Sequence, residues 1–347
     1  MRRLWSALPL AFVVTVGPAP LAIADDDPSP PTEPVKLVFI HHSTGGNWLA
    51  DLAAHDYAGG LGEALADAGY YVSATNYGWG PGSIGDRTDI GHWWEWFRGP
   101  DRDTIMAALA SESGQNVGDW GPWTRMTTDP GGPNEIVMFK SCFPNSHLGG
   151  SPTEPPTAGA NPMRGQANDL DTGGSVYTVG NAKGIYTDIL DYFATRQDTL
   201  FVVVTAPPLA IDDMYFSTDS AHAANARALN DWLVHDWLDG YPHANVAVLD
   251  FFNVLTSNGG DPETNDVGAA TGNHHRWRDG AVEHVQTVTS DFSAYSLWLD
   301  SHPTGAGGRK ATAELVPLLN VAYNRWQSSS ATPTPTPTPT PTVTPTP

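Results

Sequence analysis

The chain has 347 residues, with 17 Lys and Arg against 38 Asp and Glu, a formal net charge of −21. Such a surface repels phosphate backbones and anionic lipid, so neither nucleic acid nor an anionic membrane is an expected partner. The one cysteine, Cys142, excludes an internal disulfide.

The first segment reads as a secretory signal. Arg2 and Arg3 form a basic start, Leu4 to Val16 an apolar core, and Ala22-Ile-Ala24 a cleavage site before Asp25. Pro9 and Gly17 break the apolar stretch, which is too short to span a bilayer. The expectation is a signal peptide over 1–24, a secreted or cell-surface protein, and no membrane span once the signal is removed. Residues 25–34, rich in Pro and Asp, read as a mobile lead-in, and 35–327 as one folded domain. From 328 to 347 the chain becomes Ser, Ala and Thr-Pro repeats. That composition favours extended polyproline II and cannot build a core, so it reads as a stalk or linker.

Within the domain, four apolar, β-branched runs have the character of strands buried on both faces: Lys36 to His41, Glu135 to Lys140, Leu200 to Thr205, and Val246 to Phe252. Tyr70 to Thr75 is a fifth, weaker run. Helical stripes fall between them. Trp48, Leu49 and Leu52 begin one helix that resumes at Leu61 and Leu65; Ile185, Ile189 and Phe193 mark another, Leu229, Trp232, Leu233 and Trp237 a third. Ala311, Leu315, Leu318, Leu319, Ala322 and Trp326 stripe the last, with Pro317 a kink or a late start. This alternation predicts a three-layer α/β/α fold around a parallel five-stranded sheet of flavodoxin-like order. Two long insertions, 78–132 and 144–178, interrupt it. Ser43, Cys142 and Ala206-Pro-Pro208 each follow a strand run, which places them along the carboxyl rim where such sheets bind ligands. Cys142 itself is expected to be a buried, inert thiol at a strand end.

Chemistry concentrates at the two ends of the domain. The first run leads into His41-His42-Ser43-Thr44-Gly45-Gly46, and Trp298-Leu-Asp300-Ser-His302-Pro-Thr-Gly305 precedes the last helix. A serine hydroxyl needs a base to take its proton; a histidine does so near neutral pH, and a carboxylate fixes the imidazole's tautomer. The glycines allow close backbone approach. Residues two apart in an extended segment share a side, so Asp300 can meet His302. This pattern points to a serine hydrolase; the bland alternatives are a helix cap at Ser43 and ordinary loop residues at 300 and 302. Metal binding competes through His41-His42 and His274-His275, with Asp300, His302, His284 and several aspartates as further ligands, but adjacent histidines on a strand face opposite ways, and there is no H-x-x-x-H or C-x-x-C spacing. No metal is therefore expected. Trp79, Trp93, Trp94 and Trp96, then Trp120 and Trp123, form two aromatic clusters, either platforms for sugars or a satellite core beneath the loop.

The order of these motifs resembles that of the SGNH (GDSL-type) hydrolase superfamily: a serine after the first strand, glycines after the second, an asparagine after the third, and Asp…His before the last helix. The block Asp300-Ser-His-Pro-Thr-Gly-Ala-Gly-Gly-Arg-Lys-Ala-Thr is similar in detail to that family's last block. Carried over residue by residue, the resemblance implies Ser43 as nucleophile, His302 as base and Asp300 as acid. It implies an oxyanion hole from the Ser43 N–H, Gly85 (with Gly78, Gly80 and Gly82 as competitors) and the Asn145 amide. His42 and Trp79 are the expected substrate-side residues. The chain departs from the pattern in having His-His-Ser for Gly-Asp-Ser, Asp-x-His for Asp-x-x-His, and no Gly-x-Asn-Asp. The function so implied is a secreted, monomeric esterase without cofactor, cleaving acyl esters, acetyl foremost, on a substrate such as an acylated polysaccharide. The alternatives are a non-catalytic glycan-binding surface protein and a lipid or small-ester hydrolase.

Overall fold

In chain order the elements are β1 (Val35–Ile40), α1 (Ser43–Leu49), α2 (Leu61–Asp67), β2 (Tyr70–Thr75), α3 (Trp93–Phe97), α4 (Arg102–Ser111), β3 (Ile136–Lys140), α5 (Val179–Phe193), β4 (Leu200–Val204), α6 (Ser220–His235), β5 (Val246–Leu249) and α7 (Phe251–Leu255). A hairpin follows, β6 (His274–Arg278) with β7 (Ala281–Val285), then a smaller one, β8 (Ser296–Leu297) with β9 (Asp300–Pro303), and finally α8 (Gly305–Ser330). The computed structural model describes residues 26–168, 176–216, 219–256, 269–287 and 290–330. The segment expected to be a signal and the Thr-Pro repeats lie outside the described residues. Among these residues no helix is long and apolar enough to cross a membrane.

The central sheet has five strands in the order β2-β1-β3-β4-β5, and every pairing is parallel. This is the flavodoxin-like order expected from the sequence. Side chains alternate across the sheet, and both faces are dry. Leu37 and Phe39 join Trp48, Leu65, Val254 and Leu315 in one core layer. Val38 and Ile40 join Trp93, Phe97, Ile189 and Leu229 in the other. A strand buried on both sides has no use for polar alternation, which is why these runs read as continuous apolar stretches.

Several boundaries differ from expectation. β5 stops at Leu249 because the Asp250 side chain accepts a hydrogen bond from Asn253 N, capping α7 where the strand was expected to continue to Phe252. Tyr70–Thr75, expected to be weak, pairs with β1 along its full length. The 78–132 insertion is folded: it carries α3 and α4, and Trp93 and Trp96 belong to the main core beside Phe139, not to a satellite. α8 runs through Pro317. The lead-in lies against α8, where Asn320 donates to the Pro28 carbonyl and Asn324 to those of Asp27 and Ser29. The β6–β7 hairpin was not anticipated. Its signal is Asp279-Gly280, both at positive φ (52° and 88°), the pairing that a two-residue type I′ turn requires.

Phe139 anchors the layer beneath the candidate site, fully buried, with Trp93, Phe97 and Phe193 ring centroids 4.8, 5.1 and 6.1 Å away. Phe139→Ala is expected to cost about 3–5 kcal/mol, read from the denaturant midpoint in equilibrium unfolding.

Candidate active site

β1 delivers the chain to the carboxyl rim, and α1 begins three residues later at Ser43. Gly45 and Gly46 are needed for space. A Cβ on Gly45 would lie 2.4 Å from the His41 Cβ, and one on Gly46 2.3 Å from the Trp120 indole. α1 is tied to α8 by a short relay, Trp48 Nε1 donating to Thr312 Oγ1 (2.9 Å), which donates to the Gly59 carbonyl (2.8 Å). The same relay holds the serine segment beside the helix that follows His302.

Asp300 and His302 stand on β9, and their separation by two residues puts them on one side of the strand. His302 Nε2 lies 2.8 Å from Ser43 Oγ, and His302 Nδ1 lies 2.6 Å from Asp300 Oδ1. The same carboxylate oxygen accepts the His302 backbone N–H at 2.9 Å. With Nδ1 donating to Asp300, the neutral ring presents Nε2 as an acceptor to the serine hydroxyl. Phe143 meets the His302 ring edge-on at 4.9 Å.

Ser301, between them, points the other way and is fully buried. Its Oγ donates to Asp213 Oδ2 (2.5 Å) and accepts from Ala210 N (2.8 Å), while its own N–H also reaches Asp213 Oδ2 (3.1 Å). Asp213 further gathers the N–H groups of Tyr215 and Phe216. This inward anchor sets the register of β9 and so the direction of its two outward side chains. Sequence reasoning missed Asp213; an acidic residue 88 positions away carries no local signal.

The remaining expected site residues have other work. His42 bridges Gly85 O (2.5 Å) and Thr88 Oγ1 (2.9 Å) and stacks on Tyr77 at 3.8 Å. It therefore clamps the 78–88 segment to the serine turn instead of facing substrate. Gly85 spends its N–H on the Trp79 carbonyl (2.8 Å), and a Cβ there would lie 2.2 Å from Asn76 O, so it is a packing glycine whose donor is occupied. Asn145 is buried. Its Nδ2 donates to Asp89 Oδ1 (2.5 Å) and, at a long 3.4 Å, to Cys142 O, and its Oδ1 accepts from Ile90 N (2.8 Å), so its amide too is engaged in the wall. Trp79 stacks on Trp96 (5.8 Å, 6°) and donates Nε1 to Glu112, packing toward the core. Cys142 lies beyond the end of β3, half-buried, with Sγ 3.5 Å from Ser43 Oγ and 2.9 Å from Thr44 Oγ1.

Beneath the turn the interior is electrostatically unusual. His41 and Lys140 are fully buried, and neither His41 Nε2 nor Lys140 Nζ has a hydrogen-bond partner among the described residues. Burial lowers the Lys140 pKa and brings His41 down to about 3 and His42 to about 4, so both imidazoles are neutral at neutral pH.

One recess opens beside Asp300 and His302, and a second adjoins it through Asp119 and Trp120. The first, of about 400 Å³, is lined by Asn47, His55, Tyr57, Trp120, Asp300 and His302 among others. The second, of about 320 Å³, is lined by Asn76, Tyr77, Asn116, Gly118, Asp119 and Trp120. Asp119 and Trp120 line both. Trp298, at the tip of the β8–β9 turn, is 83% exposed. Comparison with known proteins adds no assignment: no family model, curated protein or solved structure matches this chain.

Two outcomes follow from this geometry. Ser301→Ala leaves the buried Asp213 carboxylate and Ala210 N–H short of a partner, and is expected to cost about 1–3 kcal/mol in urea unfolding. His41, His42, His92 and His275 all have folded pKa values, about 3 to 4, below the ordinary 6.5. The unfolded chain therefore binds these protons first, so stability is complete above about pH 6.5 and drains as the pH falls toward 4. Unfolding midpoints at pH 7, 5.5 and 4.5 should decline in that order; a flat series would contradict the burial of neutral imidazoles.

Proposed function

We propose that the chain is a secreted serine esterase of SGNH type, and the observation that carries this reading is the continuous Ser43–His302–Asp300 hydrogen-bonded chain. Ser43 Oγ attacks the ester carbonyl carbon while His302 Nε2 takes its proton. Asp300 stabilises the imidazolium that forms. The tetrahedral intermediate collapses, the C–O bond to the alcohol breaks, and His302 returns the proton to the departing oxygen. Water, deprotonated by the same imidazole, then releases the acid from Ser43. The Ser43 N–H supplies one oxyanion donor. Asn145 joins it only by exchanging Asp89 for the oxyanion, because its amide is otherwise engaged.

The substrate class rests on the recesses. Amide and carboxylate groups of Asn47, Asn76, Asn116 and Asp119 alternate with the rings of Tyr57, Tyr77 and Trp120. Polar edges with aromatic faces suit a neutral carbohydrate, and a net charge of −21 disfavours a polyanion. We assign an acyl ester of carbohydrate, acetyl foremost. A lipid ester fits less well, since amide and carboxylate side chains interrupt the aromatic lining. The engaged amides of Gly85 and Asn145 favour a second reading, a glycan-binding surface protein without turnover.

Release of acetate from acetylated xylan and from p-nitrophenyl acetate separates these readings. Turnover of both by the mature protein is expected. Ser43→Ala should lower kcat on the order of a millionfold and Asp300→Asn on the order of ten-thousandfold. Turnover of the small ester alone keeps the mechanism and removes the glycan. No Ser43-dependent turnover, together with glycan-array binding, would establish the second reading.

A further inference from the structure

At the β5 edge of the sheet, with β3 and β4 lying between it and β1, a second cluster of titratable groups converges from three elements. Asp231 comes from α6, Asp250 from the turn after β5, and His284 from β7. One ligand atom from each lies within 4.8 Å of the others. Asp250 is fully buried, and the His284 side chain nearly so. His284 Nε2 sits 2.8 Å from Asp250 Oδ2, and its Nδ1 sits 3.2 Å from His235 Nε2.

We propose that Asp231, Asp250 and His284 form a binding site for a divalent transition metal of the zinc class, which fastens the β6–β7 hairpin to α6 and the sheet.

Four observations support this. The first is charge: two carboxylates converge on a single imidazole, with Arg227 nearby. Arg227 is committed to Asp291 (2.5 Å), Asn253 (3.2 Å) and Thr256 (2.9 Å). The second is orientation. Asp250 Oδ1 is held by Asn253 N and Thr205 Oγ1, which leaves Oδ2 for His284 or for a metal in its place. The third is the outer shell: a metal on His284 Nε2 needs an acceptor for Nδ1–H, and His235 Nε2 stands there. His275 is excluded as a ligand through Nδ1, because that nitrogen accepts the Asp250 N–H at 2.9 Å. The fourth is access, since a recess of about 580 Å³, lined by His235, His243, His275 and Arg325 among others, reaches the cluster at His284.

Nitrogen and carboxylate donors in a three-ligand set select zinc over calcium, which takes oxygen alone and in greater number. The donors lie at positions 231, 250 and 284, so no spacing motif could have revealed them.

The test is titration of the full mature chain, without an affinity tag, by Zn²⁺ against a chromophoric chelator, with Co²⁺ absorption reporting geometry. One equivalent of Zn²⁺ is expected, bound much more tightly than Ca²⁺, with tetrahedral Co²⁺ bands and a melting temperature that rises with Zn²⁺. His235→Ala should weaken binding about 10–100-fold, and Asp231→Asn and His284→Ala by more than that. Should His284→Ala fail to fold, Asp231→Asn, at a half-buried helix position, decides the matter. His222→Ala is the control, since His222 stacks on His147 in a separate pair at 3.9 Å. Absence of stoichiometric binding, binding that survives Asp231→Asn, or binding lost in His222→Ala would overturn the proposal.

Discussion

Burial of β1 on both faces and along both edges is the constraint on which the rest depends. β2 and β3 pair with it on either side, and all six of its residues are buried. A strand so enclosed gives its chain only one exit, the carboxyl rim, and everything reactive is gathered there. The two glycines after Ser43 matter because the turn must pass under Trp120 and over His41 with no room for a Cβ. Closing the other half of the site requires a segment 259 residues later to arrive beside Ser43. The Trp48–Thr312 contact and the Ser301–Asp213 anchor bring it there and fix its direction.

The rim is built over polar groups that are held neutral or left without partners. His41 and Lys140 sit in the dry layer with unpaired nitrogens, and His42 is locked between Gly85 and Thr88. Such groups destabilise a fold when charged, which makes the protein acid-sensitive by construction. They also form a rigid floor under the serine, since moving any of them exposes further unsatisfied atoms. The oxyanion side contrasts with this. The Gly85 N–H and the Asn145 amide expected there already have partners, so any catalysis begins from the Ser43 N–H and requires an exchange of hydrogen bonds at Asn145.

The two ends of the sheet divide the proposed roles. Acyl transfer belongs to the rim above β1, where the recesses carry aromatic faces and amides. The Asp231–Asp250–His284 cluster lies at the β5 edge and holds a hairpin that no other strand pairs with. A two-stranded hairpin alone is marginal in water, and this one borrows stability from α8 through His274 and Glu314 and from the sheet edge through Asp250. A metal there would act on the fold and not on the ester.

The sequence by itself determined the sheet. Five apolar runs spaced by helical stripes leave one economical topology, because parallel strands need right-handed crossovers and buried strands need apolar residues on both faces. It also determined that Ser43, Asp300 and His302 would sit on the rim, since each follows or precedes an element whose direction is fixed. What it could not decide was where hydrogen bonds between distant segments go. Gly85 and Asn145 stand where the motif order places them, yet their donors are committed to Trp79, Asp89 and Cys142. Trp93 and Trp96 of the 78–132 insertion belong to the main core because α3 packs against β3, a contact that periodicity does not encode. No local signal along the chain sets Asp213, Asp231 or Asp250 apart from other acids. Only the tertiary structure turns one into an anchor for β9 and the other two into a pair facing a histidine, because a carboxylate's role is set by which donors the fold brings within about 3 Å of it.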